Sequence, residues 1–113
     1  MKFYFLNTCY TCPEQYAVYR ANGEECGYVR LRWGTLYASY PGVDGGIIYE
    51  ATFKDRFKGE FEDDTERDHY LKEIAISFQN KILNGIPTNL TDNDVVYEVL
   101  TDPSQLEERL KNG

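Results

Sequence analysis

The segment CYTCP at positions 9 to 13 holds the residues of this chain that are best suited to chemistry. Two cysteines in this spacing can act in redox reactions when a helix N-terminus lowers their thiol pKa, or can supply half of a zinc site. The residues that follow alternate as a strand does, and a zinc site needs further ligands. We therefore hold Cys9, Cys12 and His69 as weak metal or redox candidates, beside the alternative that the cysteines lie in a loop or a core. We expect no cofactor.

A second group of chemically able side chains is acidic. It comprises Glu60, Glu62, Asp63, Asp64 and Glu66. Ca²⁺ loops place their ligands at alternate positions around a central glycine, and that spacing is absent here. Asp63 followed by Glu66 is instead typical of the capping box at the start of a helix. A further alternative is that these carboxylates, together with those at 92 to 94, mimic the phosphates of a nucleic acid and inhibit a defence protein.

Tyrosine and arginine alternate with apolar residues in YVRLRWGTLYASY, which spans residues 28 to 40. Successive side chains of a strand point to opposite faces of the sheet, so the polar residues share one face. With a tyrosine from the preceding strand, the candidate binding surface comprises Tyr19, Tyr28, Arg30, Arg32 and Tyr37. Tyrosine and arginine are enriched at protein interfaces, and aromatic residues beside cations also bind single-stranded nucleic acids. The alternative is an ordinary outer face that C-terminal helices cover.

Two turns set the expected register of these strands. The Asn-Gly pair at 22–23 is a strong signal for a two-residue hairpin loop, and the Gly-Thr pair at 34–35 suits a second one. The second loop places Arg32 opposite Tyr37, where the two side chains can stack, and it places Trp33 on the core face. The full predicted core face is Tyr16, Val18, Val29, Leu31, Trp33, Leu36, Ala38 and Tyr40.

The hydrophobic period changes along the chain, from strand-like over about 2–53 to helix-like over about 63–111. This order predicts a single α+β domain over residues 1–113: an antiparallel meander sheet of four or five strands packed on one long helix, with a helical C-terminal segment. Residues 91–100 fit a helix somewhat better than a strand, although their β-branched content leaves the strand open. The sequence DPSQ at 102–105 predicts a firm helix start.

Composition and charge narrow the functional classes. The chain has 113 residues, 42% of them hydrophobic, with a formal net charge of −7. This acidic balance disfavours direct binding to nucleic acid or to an anionic membrane. The chain has no apolar run long enough for a transmembrane helix or a signal peptide, and its three cysteines fit a reducing compartment better than a disulfide framework. We expect a cytoplasmic protein that does not enter a membrane.

The stretch EQYAVYRANGEECGYVRLRWGTLYASYP, residues 14 to 41, resembles a pattern in small uncharacterised proteins of bacteria and phages. The shared form is E-Q-Y-x-V-Y, a turn glycine, G-Y-x-R-L-R-x-G and a final Y-P. Cys26 stands where that pattern usually has an aliphatic residue, which indicates a core cysteine. The resemblance implies a bacterial, phage or mobile-element setting and assigns no activity to any residue. The leading hypothesis is a non-enzymatic protein-interaction module.

Overall fold

The computed structural model of the chain describes residues 1–9 and 14–112. Its elements are β1 (Lys2–Cys9), β2 (Glu14–Arg20), β3 (Glu25–Arg32), β4 (Thr35–Tyr40), β5 (Gly46–Thr52), α1 (Asp64–Ile82), a short 3₁₀ turn (Asp92–Asp94), β6 (Val96–Leu100) and α2 (Pro103–Asn112). No helix within these residues is both long enough and apolar enough to cross a membrane.

The strands form one six-stranded sheet in the order β5-β4-β3-β2-β1-β6. The first five strands are an antiparallel meander, as the alternation predicted, whereas β6 pairs in parallel with β1. The α+β class is therefore confirmed, but the sheet is mixed and has six strands. The expectation of four or five antiparallel strands and one long helix was only partly correct.

The preference for a helix over residues 91–100 was wrong. A helical cap is present at Thr91, whose backbone N–H donates to the Asp94 carboxylate at 2.7 Å, but the cap starts only a single 3₁₀ turn. Val95 is then extended, and the chain continues as β6. β-branched residues suit a pleated sheet, and the edge of β1 offers backbone partners to a strand in this position.

The first turn differs from the expected two-residue loop. The carbonyl of Arg20 accepts a hydrogen bond from the Gly23 N–H at 2.9 Å, and the Arg20 N–H donates to the Glu24 carbonyl at 2.9 Å. Gly23 has a φ of 89°, whereas its neighbour Asn22 is not left-handed. This is the three-residue hairpin loop in which a single position needs a positive φ.

The second turn lies one residue earlier than expected, at Trp33 and Gly34, with φ values of 52° and 74°. Arg32 then pairs with Thr35, and Leu36 lies opposite Leu31 instead of Trp33. The register is displaced by an even number of residues, so every strand side chain keeps its predicted face. Trp33 itself leaves the strand and is 63% exposed, so its assignment to the core was wrong.

Helix α1 covers the core face of the sheet. It contributes Leu71, Ile74 and Phe78, all fully buried, to a cluster with inward residues of β1 to β4. The Asp63 carboxylate caps the helix by accepting the Glu66 N–H at 2.8 Å, as predicted. The Glu66 side chain accepts from the backbone N–H of Glu62, one residue before the cap, so the expected capping box forms in a shifted version.

Helix α2 covers only one end of the opposite sheet face. Its predicted cap is present, since the Asp102 carboxylate accepts the Ser104 N–H at 2.8 Å and the Gln105 side chain accepts the Asp102 N–H at 3.1 Å. The cluster beneath it draws on β1, β2, β6 and α2, through Tyr4, Leu6, Leu100 and Leu106, with Tyr19 and Leu110 at its border. The outer face is therefore closed over β1 and β6, and it stays open over β3, β4 and β5.

Candidate functional site

The open part of the outer face carries four of the five candidate binding residues. We call Tyr28, Arg30, Arg32 and Tyr37 the Tyr/Arg face. Arg30, not Arg32, lies opposite Tyr37, and its guanidinium carbon is 5.8 Å from the centre of that ring. The rings of Tyr28 and Tyr37 lie 6.2 Å apart. Alternation along two neighbouring strands therefore brings these side chains into one contiguous surface.

The fifth candidate, Tyr19, lies elsewhere. Its side chain is half-buried against the cluster that Leu106 and Leu110 of α2 form with β1 and β6. Burial raises the pKa of its hydroxyl, with a smaller contribution from Glu25. Tyr19 is therefore a packing residue at the border of the α2 cluster, and the structure separates it from the Tyr/Arg face.

Contacts within the sheet hold the side chains of the Tyr/Arg face in place, and Tyr28, Arg30 and Tyr37 are half-buried. The Tyr28 hydroxyl donates to the side-chain oxygen of Gln15 at 2.7 Å. Arg30 is half-buried, and its Nε has no hydrogen-bond partner among the described residues, so stacking on Tyr37 orients that part of the side chain. Arg32 is exposed. Within residues 1–9 and 14–112, neither arginine forms an ion pair. Both guanidinium groups therefore stay available to an external carboxylate, although Glu50 lies opposite Tyr37 on the same face of the sheet.

An aromatic pair that was not predicted from the sequence lies beside this face. We call Trp33 and Phe57 the aromatic tip. Their rings meet edge to face at 6.2 Å, and the two residues are 63% and 76% exposed. The Arg32 guanidinium lies 5.7 Å from the Trp33 ring, so the tip is continuous with the Tyr/Arg face. The Trp-Gly pair was a possible turn signal, but nothing local indicated that a residue of the charged 54–58 stretch would meet it.

The loop behind the tip is fixed by backbone hydrogen bonds through Gly34. Its N–H donates to the Lys58 carbonyl at 2.9 Å, and its carbonyl accepts the Phe53 N–H at 2.8 Å. The Asp55 carboxylate accepts the Phe57 N–H at 2.9 Å. Lys58 and Glu66 form an ion pair at 2.9 Å that ties the loop to α1. The tip is thus preorganised by the fold.

The weak metal and redox candidates are not assembled into a site by the described residues. Cys9 is half-buried at the end of β1, and Cys12 lies outside the described residues. His69 is exposed on α1, 3.7 Å from the Glu73 carboxylate. Cys26 is buried, and burial raises its thiol pKa to about 12, so it stays protonated near neutral pH. The part of the chain that the structure describes holds no group of three or more His, Cys, Asp or Glu residues suited to a metal.

Four residues of the acidic group line a cavity of about 300 Å³ together with Cys9, Glu14, Tyr16 and Arg67: Glu60, Glu62, Asp63 and Asp64. In this wall, Glu14 accepts hydrogen bonds from the Tyr16 hydroxyl and, at 3.0 Å, from the Phe61 N–H. Burial and the bond to Glu14 raise the pKa of Tyr16 above its ordinary value. Because these contacts join β2 to the loop before α1, we interpret Glu14 as a structural hub.

The hub gives a stability prediction. We expect Glu14→Ala to lower the free energy of unfolding by about 2–3 kcal/mol, because the buried Tyr16 hydroxyl and the Phe61 N–H lose their acceptor. Glu14→Gln should cost less, since its amide oxygen can still accept one of them. Urea denaturation measures both. In a Tyr16→Phe background the cost of Glu14→Ala should shrink, and an unchanged cost would contradict the assignment.

The Tyr/Arg face and the aromatic tip meet where Arg32 contacts Trp33, and together they form one continuous, partly exposed surface of arginine, tyrosine, tryptophan and phenylalanine. Rings and guanidinium groups in this arrangement can stack on planar or apolar groups and can bind carboxylates in a bidentate manner. No protein family, curated protein or solved structure was found to match this chain.

Proposed function

We propose that this protein is a non-enzymatic interaction module that binds another protein through its Tyr/Arg face. The supporting observation is the division of the outer sheet face. Helix α2 buries the apolar residues over β1 and β6, whereas it does not cover the Tyr/Arg residues on β3 and β4, of which Arg32 is exposed and the other three are partly exposed. Large side chains with a purely structural role would gain stability if a helix buried them, and helix α2 does not extend over these residues.

A protein partner fits this face better than a nucleic acid does. Tyrosine, tryptophan and arginine dominate the energetics of protein interfaces. The contacts of Tyr28 with Gln15 and of Arg30 with Tyr37 already restrict the rotamers, which lowers the entropy lost on binding. The formal charge of −7 repels a long polyanion. The resemblance of residues 14 to 41 suggests a bacterial or phage setting for that partner.

The acidic-mimic alternative has weaker support. Asp63 and Asp94 accept backbone hydrogen bonds at the starts of α1 and of the 3₁₀ turn, and Glu66 accepts one just before α1. The bond from Thr91 lowers the pKa of Asp94, and the bond from Lys58 lowers that of Glu66. These capping and pairing contacts account for the positions of the carboxylates without a partner, so we give the Tyr/Arg face precedence.

Affinity capture from a bacterial lysate, followed by titration of the purified partner, tests the proposal. Arg30→Ser/Arg32→Ser should weaken partner binding by about 30-fold or more, the loss expected when a central interface pair is removed. The matched control is Lys72→Ser/Lys81→Ser, which removes the same charge from exposed positions on α1. Thermal melts check that both variants fold.

Equal retention of the partner by wild type and the arginine variant would overturn the proposal. Equal loss in both double variants would also overturn it, because net charge and not the Tyr/Arg face would then govern binding. Loss of binding on neutralising Glu60 and Glu62 alone would favour the acidic-mimic alternative.

A further inference from the structure

At the aromatic tip, an exposed apolar side chain, that of Trp33, lies on a residue with an unfavourable backbone conformation. Trp33 has a φ of 52°, in the left-handed region that costs a bulky residue about 1–2 kcal/mol. Asparagine or glycine would occupy this turn position without strain. With 63% of its surface exposed, Trp33 recovers little of that cost by burial. Strain of this kind concentrates at binding sites.

Three cations and one carboxylate, that of Asp55, lie in or next to the segments that form the tip, so their net charge is positive. The Arg32 guanidinium lies over the Trp33 ring, and the Arg56 backbone lies directly against Gly34. Lys54 and Arg56 are both exposed in the same loop as Phe57. Among the described residues, Arg32, Lys54 and Arg56 form no ion pair, although acidic residues outnumber basic ones by 19 to 12. The charge of the tip is therefore complementary to an anionic partner.

Resting on the proposed function, we infer that the aromatic tip binds an acidic segment of the partner protein, in which an apolar side chain is flanked by carboxylates. The apolar side chain contacts Trp33 and Phe57, and the carboxylates pair with Arg32 and Arg56. Because Arg32 of the Tyr/Arg face contacts Trp33 of the tip, the segment continues from the tip along β3 onto the Tyr/Arg face. Each guanidinium can hold a carboxylate through two parallel hydrogen bonds.

The range of electrostatics favours a short acidic segment over a nucleic acid or an anionic membrane. At physiological salt, charges interact over about 8 Å, so a few carboxylates placed at the tip respond mainly to the local cations. A polyanion or a bilayer extends well beyond that distance and meets the other carboxylates of the chain. Glu60 and Glu62 line a second cavity together with Phe57 and repel anions on that side of the tip, so the acidic segment binds on the side of Trp33 and Arg32.

Trp33 is the only tryptophan, so its fluorescence reports on this site alone. The test begins with selection from a random peptide library on the wild-type protein, followed by titration of the enriched peptides. We expect peptides with Asp or Glu next to Leu, Ile or Phe. Binding should shift Trp33 emission to the blue, protect it from acrylamide and weaken as salt rises.

Matched variants distinguish specific peptide binding at the tip from non-specific binding to exposed apolar residues. Phe57→Ser keeps the Trp33 reporter and should weaken peptide binding by about 30-fold, the change expected at a hot spot. Arg32→Ser/Arg56→Ser should do the same and remove most of the salt dependence. Ile86→Ser is the control, since Ile86 is 53% exposed in the loop that follows α1, and it should change binding by less than about twofold.

Four outcomes would overturn the inference: enrichment of basic or uncharged peptides, no enrichment, an unchanged Trp33 signal at saturation, or a stronger response to oligothymidylate or phosphatidylserine vesicles than to the acidic peptides. These outcomes are distinct from failure of the proposed function. If Arg30→Ser/Arg32→Ser abolishes partner capture while Phe57→Ser has no effect, the Tyr/Arg face binds without the tip.

Discussion

Replacing Gly27 by alanine should lower the free energy of unfolding by about 3 kcal/mol, because the new methyl group overpacks the core. A Cβ at Gly27 would lie 2.2 Å from two ring carbons of Phe78 and 3.0 Å from the Ser39 carbonyl oxygen. Phe78 is fully buried, with its ring 6.0 Å from that of Phe3 and 6.5 Å from that of Tyr40. The ring has no free space to enter, so the strain reaches both β3 and α1.

The matched control is Gly46→Ala, since a Cβ there meets nothing within 4 Å. Urea denaturation of Gly46→Ala should show a change of less than about 0.5 kcal/mol. Phe78→Leu replaces the ring by a smaller side chain. The double variant Gly27→Ala/Phe78→Leu should therefore lose about 1 kcal/mol or more less free energy of unfolding than the sum of the two single variants, because the two sites touch. If the stability losses of the two single changes simply add, Gly27 does not act by leaving space for the Phe78 ring.

A second large effect is expected from Gly34→Ala, at about 3 kcal/mol of unfolding free energy, because backbone strain and a backbone clash add. Gly34 has a φ of 74°. Its Cβ would lie 2.6 Å from the Asp55 carbonyl oxygen and 2.9 Å from the Arg56 Cα. Neither atom can move without displacing the loop that carries Phe57. The aromatic tip should therefore separate, and the Trp33 fluorescence of the folded variant should change.

Gly85→Ala separates the two contributions. Gly85 has a similar φ of 77°, but a Cβ there meets nothing within 4 Å. It should lose only the backbone term of about 1–2 kcal/mol and should leave Trp33 fluorescence and peptide binding unchanged. Equal stability losses in Gly34→Ala and Gly85→Ala would mean that the loop accommodates the methyl group and that Gly34 does not position the tip.

The candidate binding surface could be predicted from the sequence only in part. Alternation alone placed Tyr28, Arg30, Arg32 and Tyr37 on one face, and an error in the turn position did not disturb this because the register moved by an even number of residues. The opposite partner of Tyr37 did depend on the turn, and it is Arg30. The cover over Tyr19 depends on where α2 lies, which no local pattern specifies.

The aromatic tip and the hub at Glu14 show the same limit. Trp33 fitted the alternating apolar set, and only the turn conformation, with its positive φ, removed it from the core. Phe57 meets Trp33 because residues 53 and 58 exchange backbone hydrogen bonds with Gly34. Glu14 binds Phe61 across a long sequence separation. Contacts of this kind join segments that are distant in sequence, and the local pattern of one segment does not predict its contact with the other.

The sequence by itself determined the features that depend on neighbouring residues: the five meander strands and their faces, the cap of α1 at Asp63 and the start of α2 at Asp102. These follow from side-chain period and local hydrogen bonds. The tertiary structure alone decided the conformation of residues 96–100, the half of the outer face that α2 covers, and the exposure of the aromatic tip. The physical reason is that an apolar, β-branched segment can form either element, and it becomes a strand where β1 offers an open edge to its backbone.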